Sequence, residues 1–289
     1  MGAYLRLVKS NEPAPKKRFG QHFLRDTGVM DRIVRCLDPA PDDVFLEIGA
    51  GPGPLSSRLA PKVARFLAVE IDSDCILYLK KALEPFPSAI IIPGDILQLD
   101  LTALAARHLK PDQQLRIAGN LPYNIATAII EKLIHLALPI RDMFFMVQLE
   151  VAQRIAAQPG SRQYGFLSVE CQHRCDVQMA FKVSPACFVP RPRVSSAMIS
   201  FRPKPVDLDP ACESDFSAIA KAAFSYRRKT LANSLARDPV FGSISPALLR
   251  RAGIDGSRRA EQLSVGNMST SPAHTTMCFI LRGFESWSL

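Results

Sequence analysis

The sequence predicts an α/β protein, with a mostly parallel β-sheet covered by helices on both faces and a small all-α C-terminal domain. The first observation is a regular alternation, between residues 44 and 149, of continuously apolar runs with helical patterns. Such runs are typical of parallel strands that are buried on both faces. The second observation is the Pro-rich segment 202–210, after which no strand pattern follows. Together they place a domain boundary near residue 206.

Apolar runs and helical periodicity predict the individual elements. The predicted strands of the sheet are 44–48, 65–70, 89–93, 115–119 and 143–149. The predicted helices between and around them are 27–37, a short helix ending near Ala60, 73–83 with Ser73 as its N-cap, 101–109, 126–138 and 150–157. Further along, 166–182 and 194–201 alternate in polarity and are predicted as strands, whereas 214–236 and 245–252 are predicted as helices.

The charge distribution follows the same division of the chain. The predicted ligand-binding domain spans 1–206, with a basic N-terminal arm at 1–26, and the helical domain spans 207–289. The net charge is +9, but residues 31–153 carry a net −3, so the segments on either side are basic. This distribution favours a catalytic core with surrounding surfaces that bind nucleic acid.

Composition excludes several classes of protein. Hydrophobic residues make up 47% of the chain, which argues against disorder. No apolar run approaches the roughly 20 residues that span a bilayer, and the N-terminus lacks a secretory h-region. The odd number of cysteines, 7, favours a cytoplasmic protein without a disulfide framework. Cys171, His173 and Cys175 would share one face of a predicted strand, but no second ligand pair follows, so we expect no metal.

A Gly-rich turn and two carboxylates follow three neighbouring predicted strands. The turn at 49–53 has Pro54 where a dinucleotide fingerprint requires glycine, so it suits a nucleoside better than a pyrophosphate. Glu70 ends the second strand, where a carboxylate can accept hydrogen bonds from both ribose hydroxyls. Asp95 follows the third strand and can accept a hydrogen bond from an adenine amino group, although a helix-capping role fits the same position. These features predict an adenosine pocket at the carboxyl edge of the sheet.

The most specific motif is Asn120-Leu121-Pro122-Tyr123, at the end of the fourth predicted strand. An exocyclic adenine amine is a poor nucleophile because its lone pair is delocalised into the ring. The Asn120 side-chain oxygen and the Leu121 carbonyl can accept both amine hydrogens and draw the nitrogen towards a pyramidal geometry. Pro122 restricts the turn, and Tyr123 offers a flat face to an extruded base. The motif therefore predicts chemistry on an adenine amino group.

The chain resembles the KsgA-type small-subunit (16S) rRNA adenine N6,N6-dimethyltransferases over nearly its whole length. The resemblance is carried by 17–24 (KRFGQHFL), 46–56 (LEIGAGPGPLS), 68–72 (AVEID), 94–97 (GDIL), 119–125 (GNLPYNI), 148–157 (QLEVAQRIAA), 188–194 (FVPRPRV) and 223–235 (AFSYRRKTLANSL). It implies a class I methyltransferase, Rossmann-like fold that uses S-adenosyl-L-methionine. It also implies dimethylation of two adjacent adenosines in a 3′-terminal hairpin loop of 16S rRNA, linked to subunit biogenesis.

The resemblance also implies roles for individual residues. The implied cofactor-binding residues are His22, Leu24, Gly49, Gly51, Glu70, Asp95 and Asn120. The implied catalytic residues are Asn120, Leu121, Pro122, Tyr123 and Phe188, with Phe188 opposite Tyr123 so that the two rings enclose the target base. At position 22 this chain departs from the family pattern, in which Asn is often found, so the resemblance does not define the contact that His22 makes.

Basic residues in the arm and in two family motifs are predicted to contact the RNA. They are Lys16, Lys17, Arg18, Arg191, Arg193, Arg227, Arg228 and Lys229. We expect them to contact phosphates, which position the RNA within the small subunit or its precursor. We expect a monomer, direct transfer of the methyl group, and no metal or general base.

Three other functions share some of these features. A large-subunit rRNA adenine methyltransferase of the antibiotic-resistance type shares the Gly-rich and Asn-aromatic motifs, but the match at 223–235 favours the small-subunit enzyme. A non-catalytic assembly or transcription factor would not require the intact motif from Asn120 to Tyr123. A nicotinamide dehydrogenase disagrees with Pro54 and lacks an acid for hydride transfer.

Overall fold

We describe a computed structural model of the chain over residues 13–206 and 210–264. The chain divides into two compact units. The first contains residues up to Leu149 together with Met179–Arg202, and the second contains Glu150–Gln178 together with residues from Pro203 onward. The second unit resumes close to the predicted boundary at 206, but it also includes Glu150–Gln178, which the sequence pattern assigned to the sheet domain.

A seven-stranded mixed sheet forms the centre of the first unit. The strands of the chain are β1 (Phe23–Leu24), β2 (Val44–Ile48), β3 (Arg65–Glu70), β4 (Ala89–Pro93), β5 (Leu115–Asn120), β6 (Ile140–Gln148), β7 (Cys175–Val183), β8 (Phe188–Val189) and β9 (Ser196–Pro203). Their order in the sheet is β4-β3-β2-β5-β6-β9-β7. Neighbours from β4 to β6 pair in parallel, β9 is antiparallel to β6, and β1 pairs with β8 as a separate ribbon. All five predicted strands are confirmed.

Helices cover both sides of this sheet and form most of the second unit. They are α1 (Thr27–Leu37), α2 (Ser56–Leu59), α3 (Ser73–Leu83), α4 (Leu101–His108), α5 (Ala126–Ile134), α6 (Leu149–Ile155), α7 (Phe166–Arg174), α8 (Pro210–Phe224), α9 (Leu231–Leu235) and α10 (Ser245–Arg251). The predicted N-cap Ser73 is wrong, because the Asp72 carboxylate accepts a hydrogen bond from the Asp74 N–H at 3.1 Å. Within the described residues, no helix is both long and apolar enough to cross a bilayer.

The strand predicted at 166–182 is wrong over its first half, which is the helix α7. Its alternating polarity is overridden by packing inside the second unit, where the His173 ring stacks on Phe216 of α8 at 4.1 Å between centroids. Cys171 and His173 therefore lie on a helix and do not share a strand face with Cys175. The structure shows no cluster of three or more His, Cys, Asp or Glu residues suited to a metal within its described ranges.

The second unit has its own hydrophobic core. Leu231, Leu235, Phe241 and Leu248 are all at most 4% exposed and pack in one cluster. The single helix predicted at 214–236 is wrong, because a turn separates α8 from α9. Thr230 begins the new helix by accepting a hydrogen bond from the Asn233 N–H at 3.3 Å. The unit is thus helical where it is described beyond β9, as the sequence predicts.

A buried ion cluster joins three strands at the amino edge of the sheet. The Arg116 guanidinium donates to both carboxylate oxygens of Asp142 at 2.8 and 2.9 Å, and to Asp43 at 2.6 Å. It also donates to the Leu37 carbonyl at 2.6 Å. Arg116 is 3% exposed, so the carboxylates of Asp43 and Asp142, and not solvent, balance its charge. The cluster anchors the starts of β2, β5 and β6, whose opposite ends carry the predicted site.

Candidate functional site

A cavity of about 280 Å³ lies at the carboxyl ends of β2, β3, β4 and β5, within the first unit. One wall is the segment Arg18–Leu24, which precedes the sheet in the chain. The predicted residues that line it are His22, Leu24, Gly49, Gly51, Glu70, Asp95, Asn120, Leu121, Pro122 and Tyr123. The structure therefore brings together all the residues that the sequence assigned to the cofactor and four of the five assigned to catalysis.

The Gly-rich turn after β2 has a backbone conformation that favours glycine. Gly51 has φ of +57° and its N–H donates to the Glu70 carboxylate at 2.7 Å. Gly53 has φ of +91°, and a Cβ added there would lie 2.9 Å from the Ala82 Cβ. Both observations explain why these positions need glycine. The turn is held against β3 and packs against α3.

Glu47 lies beneath this turn on β2 and is a feature that sequence analysis did not single out. Its side chain is buried and accepts a hydrogen bond from the Ser56 hydroxyl at the start of α2. Burial raises the pKa of Glu47 to about 8, the Ser56 hydrogen bond opposes this, and the nearby Glu70 raises it further. At neutral pH, Glu47 is therefore mainly protonated. A carboxyl group in the middle of an otherwise apolar strand is the signal that could have identified it.

The raised pKa of Glu47 predicts a pH-dependent stability. The folded protein keeps this proton up to about pH 8, whereas the unfolded chain releases it near pH 4.5. The free energy of unfolding therefore falls as the pH rises between these values, by about 1.4 kcal/mol per unit, or about 2 kcal/mol from pH 5.5 to 7. Urea unfolding of Glu47→Gln should lack this component, while the exposed control Glu84→Gln should keep it. Equal pH slopes for Glu47→Gln and the unmodified chain would contradict the assignment.

Glu70, at the end of β3, is held by backbone hydrogen bonds. Its Oε1 accepts from the N–H groups of Ile71 and Asp72 at 2.9 and 2.8 Å, and its Oε2 accepts from Gly51 at 2.7 Å. Burial raises the pKa of Glu70 and these three N–H groups oppose the rise. A carboxylate oxygen accepts about two hydrogen bonds, so Oε2 can accept one further donor.

Asp95 lies in the turn after β4 and lines the cavity. Its Oδ1 accepts a hydrogen bond from the Leu97 N–H at 2.9 Å. The helix-capping alternative is wrong for α4, because Asp100 caps that helix by accepting from the Ala103 N–H at 2.9 Å. The Gly94 N–H donates to the Glu70 carbonyl at 2.9 Å, which ties the ends of β3 and β4 together. The two carboxylates therefore lie on one wall.

Asn120 ends β5 with its side-chain amide in a defined orientation. Its Nδ2 donates to the His22 carbonyl at 2.9 Å, which assigns Oδ1 as the free end of the amide for an incoming donor. The following residues form a tight turn, in which the Leu121 N–H donates to the Met146 carbonyl and the Ile125 N–H to the Pro122 carbonyl, both at 3.1 Å. The motif is thus rigid and connected to the segment that covers the cavity.

Tyr123 stacks against His22, with ring centroids 5.3 Å apart and an interplanar angle of 25°. The Tyr123 hydroxyl and the Ser196 hydroxyl are hydrogen-bonded at 2.6 Å. Burial raises the pKa of Tyr123, so the phenol is neutral at physiological pH. His22 is held in turn by a hydrogen bond between its Nδ1 and the Pro190 carbonyl at 2.7 Å. An aromatic face is therefore present next to Asn120, as predicted.

Phe188 is not brought to the cavity with the other predicted residues. It is 2% exposed and belongs to the hydrophobic core of the first unit. Its backbone pairs with Leu24 in the β1–β8 ribbon. In the structure, the ring that faces Tyr123 is that of His22. His22 lies 98 residues before Asn120 in the chain, so no local sequence pattern indicated that it would reach this motif.

The predicted RNA-binding residues fall into different environments. Lys17, Arg18, Arg191 and Arg193 are exposed on the first unit, and Arg227, Arg228 and Lys229 are exposed on the second. Arg227 also donates to the carbonyl oxygens of Arg162 and Tyr164 within the second unit. Lys16 differs from the prediction, because its ammonium group pairs with Asp72 at 2.5 Å and Asp74 at 2.7 Å.

Comparison with known proteins agrees with this geometry. The family model for ribosomal RNA adenine dimethylase matches residues 14–273. The chain belongs to the ribosomal RNA adenine dimethylase family. Relatives in this family include ribosomal RNA small subunit methyltransferase A of Chromohalobacter salexigens, 43% identical over 262 residues, covering 89% of this chain and 90% of the relative. The protein of the same name from Xylella fastidiosa (strain Temecula1) is 44% identical over 256 residues, covering 88% of this chain and 93% of the relative.

Two solved structures support the fold of this dimethylase-family chain. A dimethyladenosine transferase from Plasmodium falciparum superposes with a TM-score of 0.74 at 23% identity, covering 90% of this chain and 98% of the other. The 23S rRNA methyltransferase ErmE superposes with a TM-score of 0.60 at 24% identity, with the same coverage. The predicted class I methyltransferase fold is thus confirmed, and the chain is a member of a methyltransferase family.

Proposed function

We propose that this chain transfers methyl groups from S-adenosyl-L-methionine to N6 of two adjacent adenosines in a 3′-terminal hairpin loop of 16S rRNA. The enzyme would act as a monomer in the cytoplasm, on the small subunit or its precursor. The observation that carries the proposal is the convergence of Glu70, Asp95 and Asn120-Leu121-Pro122-Tyr123 on one cavity at the carboxyl edge of the sheet. Family membership and the small-subunit relatives support the choice of RNA.

The cavity residues fit an adenosine-containing cofactor. Glu70 Oε2 can accept one ribose hydroxyl, and Asp95 Oδ2 remains for the adenine amino group beside the Oδ1 that accepts from Leu97. A Cβ added at Gly49 would meet the Asn120 carbonyl oxygen at 3.6 Å and no other heavy atom within 4 Å among the described residues. A ligand can therefore approach this backbone closely. His22 and Leu24 enclose the opposite side.

The chemistry of the protein's own residues is positioning of the target amine. When bound, the cofactor supplies an electrophilic methyl group on a sulfonium. Asn120 Oδ1 and the Leu121 carbonyl accept the two N6 hydrogens, which turns the nitrogen lone pair towards the methyl group. Transfer would form the N6–C bond as the sulfonium S–C bond breaks, and water would take the released N6 proton. In the second round one hydrogen remains for Asn120 to accept.

Tyr123 and the exposed basic residues of each unit would hold the RNA. A loop adenosine stacks on the Tyr123 ring, and extrusion costs least for an unpaired base. Because His22 now stacks on that ring, the base must displace it or use another part of the face. Lys17, Arg18, Arg191 and Arg193 on the first unit, with Arg227, Arg228 and Lys229 on the second, contact phosphates and make binding strongly salt-dependent.

The proposal is tested with labelled S-adenosyl-L-methionine and purified ribosomal subunits that lack these modifications. We expect label in the small subunit alone, and reverse transcription should stop at two adjacent loop adenosines. Fully modified small subunits are the matched control and should take up no label. Label in large-subunit rRNA would favour the antibiotic-resistance type of enzyme. Absence of label, with subunit binding retained, would favour a non-catalytic assembly factor.

A further inference from the structure

Asp72 connects the segment that covers the cavity to the sheet. It is 1% exposed, and it lies two residues beyond Glu70. Its Oδ1 accepts from the Lys16 ammonium group at 2.5 Å, and its Oδ2 accepts from the Gln21 Nε2 at 2.9 Å. The same Gln21 also accepts from the Lys16 backbone N–H at 2.7 Å, through its side-chain oxygen. Lys16, Gln21 and Asp72 thus form a closed hydrogen-bonded ring, which we call the arm latch.

The arm latch determines where one wall of the cavity lies. Residues Arg18–Leu24 line the cavity, and the latch holds them at the Lys16–Gln21 end. At the next residue, the His22 carbonyl accepts a hydrogen bond from the Asn120 amide, and the His22 ring stacks on Tyr123. Asp72 itself does not belong to the cavity wall. Its side chain reaches the arm through Lys16 and Gln21, whereas its backbone N–H donates to Glu70.

The charges around Asp72 favour the contact between Lys16 and Asp72 that holds the arm in place. Burial raises the pKa of Asp72, but hydrogen bonds from Lys16, Gln21 and the Asp74 N–H lower it below its usual value. Hydrogen bonds to Asp72 and Asp74 raise the pKa of Lys16. Both groups are therefore charged at neutral pH. A buried carboxylate that lost Lys16 would keep only polar partners, which is costly.

We propose that Asp72 is a positioning residue that holds Arg18–Leu24 over the cofactor, and that Lys16 serves this latch rather than the RNA. This inference rests on the proposed function, because it assigns the arm to cofactor retention. The inference also gives two neighbouring lysines different roles. Lys16 is paired, whereas Lys17 is exposed and available to phosphate.

The first experiment measures binding of S-adenosylhomocysteine by calorimetry. Asp72→Asn keeps the shape and an oxygen that can cap α3, but it removes the charge that pairs with Lys16. We expect Asp72→Asn and Lys16→Met each to weaken binding about tenfold. The double variant should be little worse than either single one, because both remove the same interaction. Lys17→Met is the matched control and should leave the affinity unchanged. At saturating cofactor, kcat of the latch variants should stay within a few-fold of the original enzyme.

The second experiment measures binding of a hairpin RNA, with two adjacent loop adenosines, at several salt concentrations. Lys17→Met should reduce the slope of log affinity against log salt by about 1, and Lys16→Met should leave it unchanged. A third readout is trypsin cleavage after Arg18, a site that both latch variants keep. It should be faster in both latch variants than in the original chain.

The outcomes separate the latch from the proposed function. If the original chain binds no S-adenosylhomocysteine and methylates no RNA, the proposed function fails, and cleavage still tests the latch. If Asp72→Asn does not fold, the cofactor affinity and the cleavage rate of Lys16→Met alone test the latch. Affinities within twofold of the original together with unchanged cleavage would overturn the latch. A reduced salt slope for Lys16→Met would overturn the assignment of Lys16.

Discussion

Replacement of Asn120 by alanine is expected to lower kcat for methyl transfer by about 10²–10³-fold, as for the loss of one preorganised hydrogen-bonding group in an active site. The change removes the Oδ1 that accepts an N6 hydrogen, and the Leu121 carbonyl alone cannot orient the amine. It also removes the donation from Nδ2 to the His22 carbonyl. The measurement is single-turnover transfer of labelled methyl groups at saturating RNA and cofactor.

A second variant separates chemistry from cofactor binding. Asn120→Asp keeps an oxygen acceptor but places a second oxygen against the His22 carbonyl, so it should weaken cofactor binding more than Asn120→Ala does. Calorimetry with S-adenosylhomocysteine gives this comparison, and far-ultraviolet circular dichroism checks that both variants fold. The proposed role of Asn120 would be wrong if Asn120→Ala kept kcat within tenfold of the original. The proposed role would also be wrong if the loss of methyl transfer in Asn120→Ala disappeared completely at high cofactor concentration.

Replacement of Arg116 by methionine is expected to lower the free energy of unfolding by about 3–5 kcal/mol. Methionine fills similar space but leaves the carboxylates of Asp142 and Asp43, which are at most 8% exposed, without the guanidinium that balances them. Equilibrium unfolding in urea at pH 7 measures the loss. The double variant Arg116→Met/Asp142→Asn should recover part of the lost free energy of unfolding, because one buried carboxylate fewer then lacks a balancing charge.

Arg141 provides the matched control for this cluster. It pairs with Asp43 at 3.1 Å, but its side chain is 53% exposed. A solvent-exposed ion pair contributes at most about 1 kcal/mol, so Arg141→Met should change the free energy of unfolding only slightly. Similar losses for the two arginine variants would show that burial is not the reason for the effect.

The sequence predicted the parts of the fold that depend on local pattern. β2, β3 and β4 have the predicted bounds, because each is a mostly apolar run that ends at a turn. The order of these strands then brings Glu70, Asp95 and Asn120 to one edge. In contrast, 166–174 alternates like a strand but forms α7, because the stacking of His173 on Phe216 lies outside any local window.

The candidate site can also be divided into features that the sequence predicts and features that only the tertiary structure decides. By itself, the sequence determined which residues follow the strands and therefore which groups line the cavity, since chain order and periodicity place them there. Only the tertiary structure decided the partners of long-range groups: Lys16 with Asp72, His22 rather than Phe188 against Tyr123, and Arg116 with Asp142. These pairs are separated by tens of residues in the chain. Their contacts depend on how whole elements pack, and no local spacing contains that information.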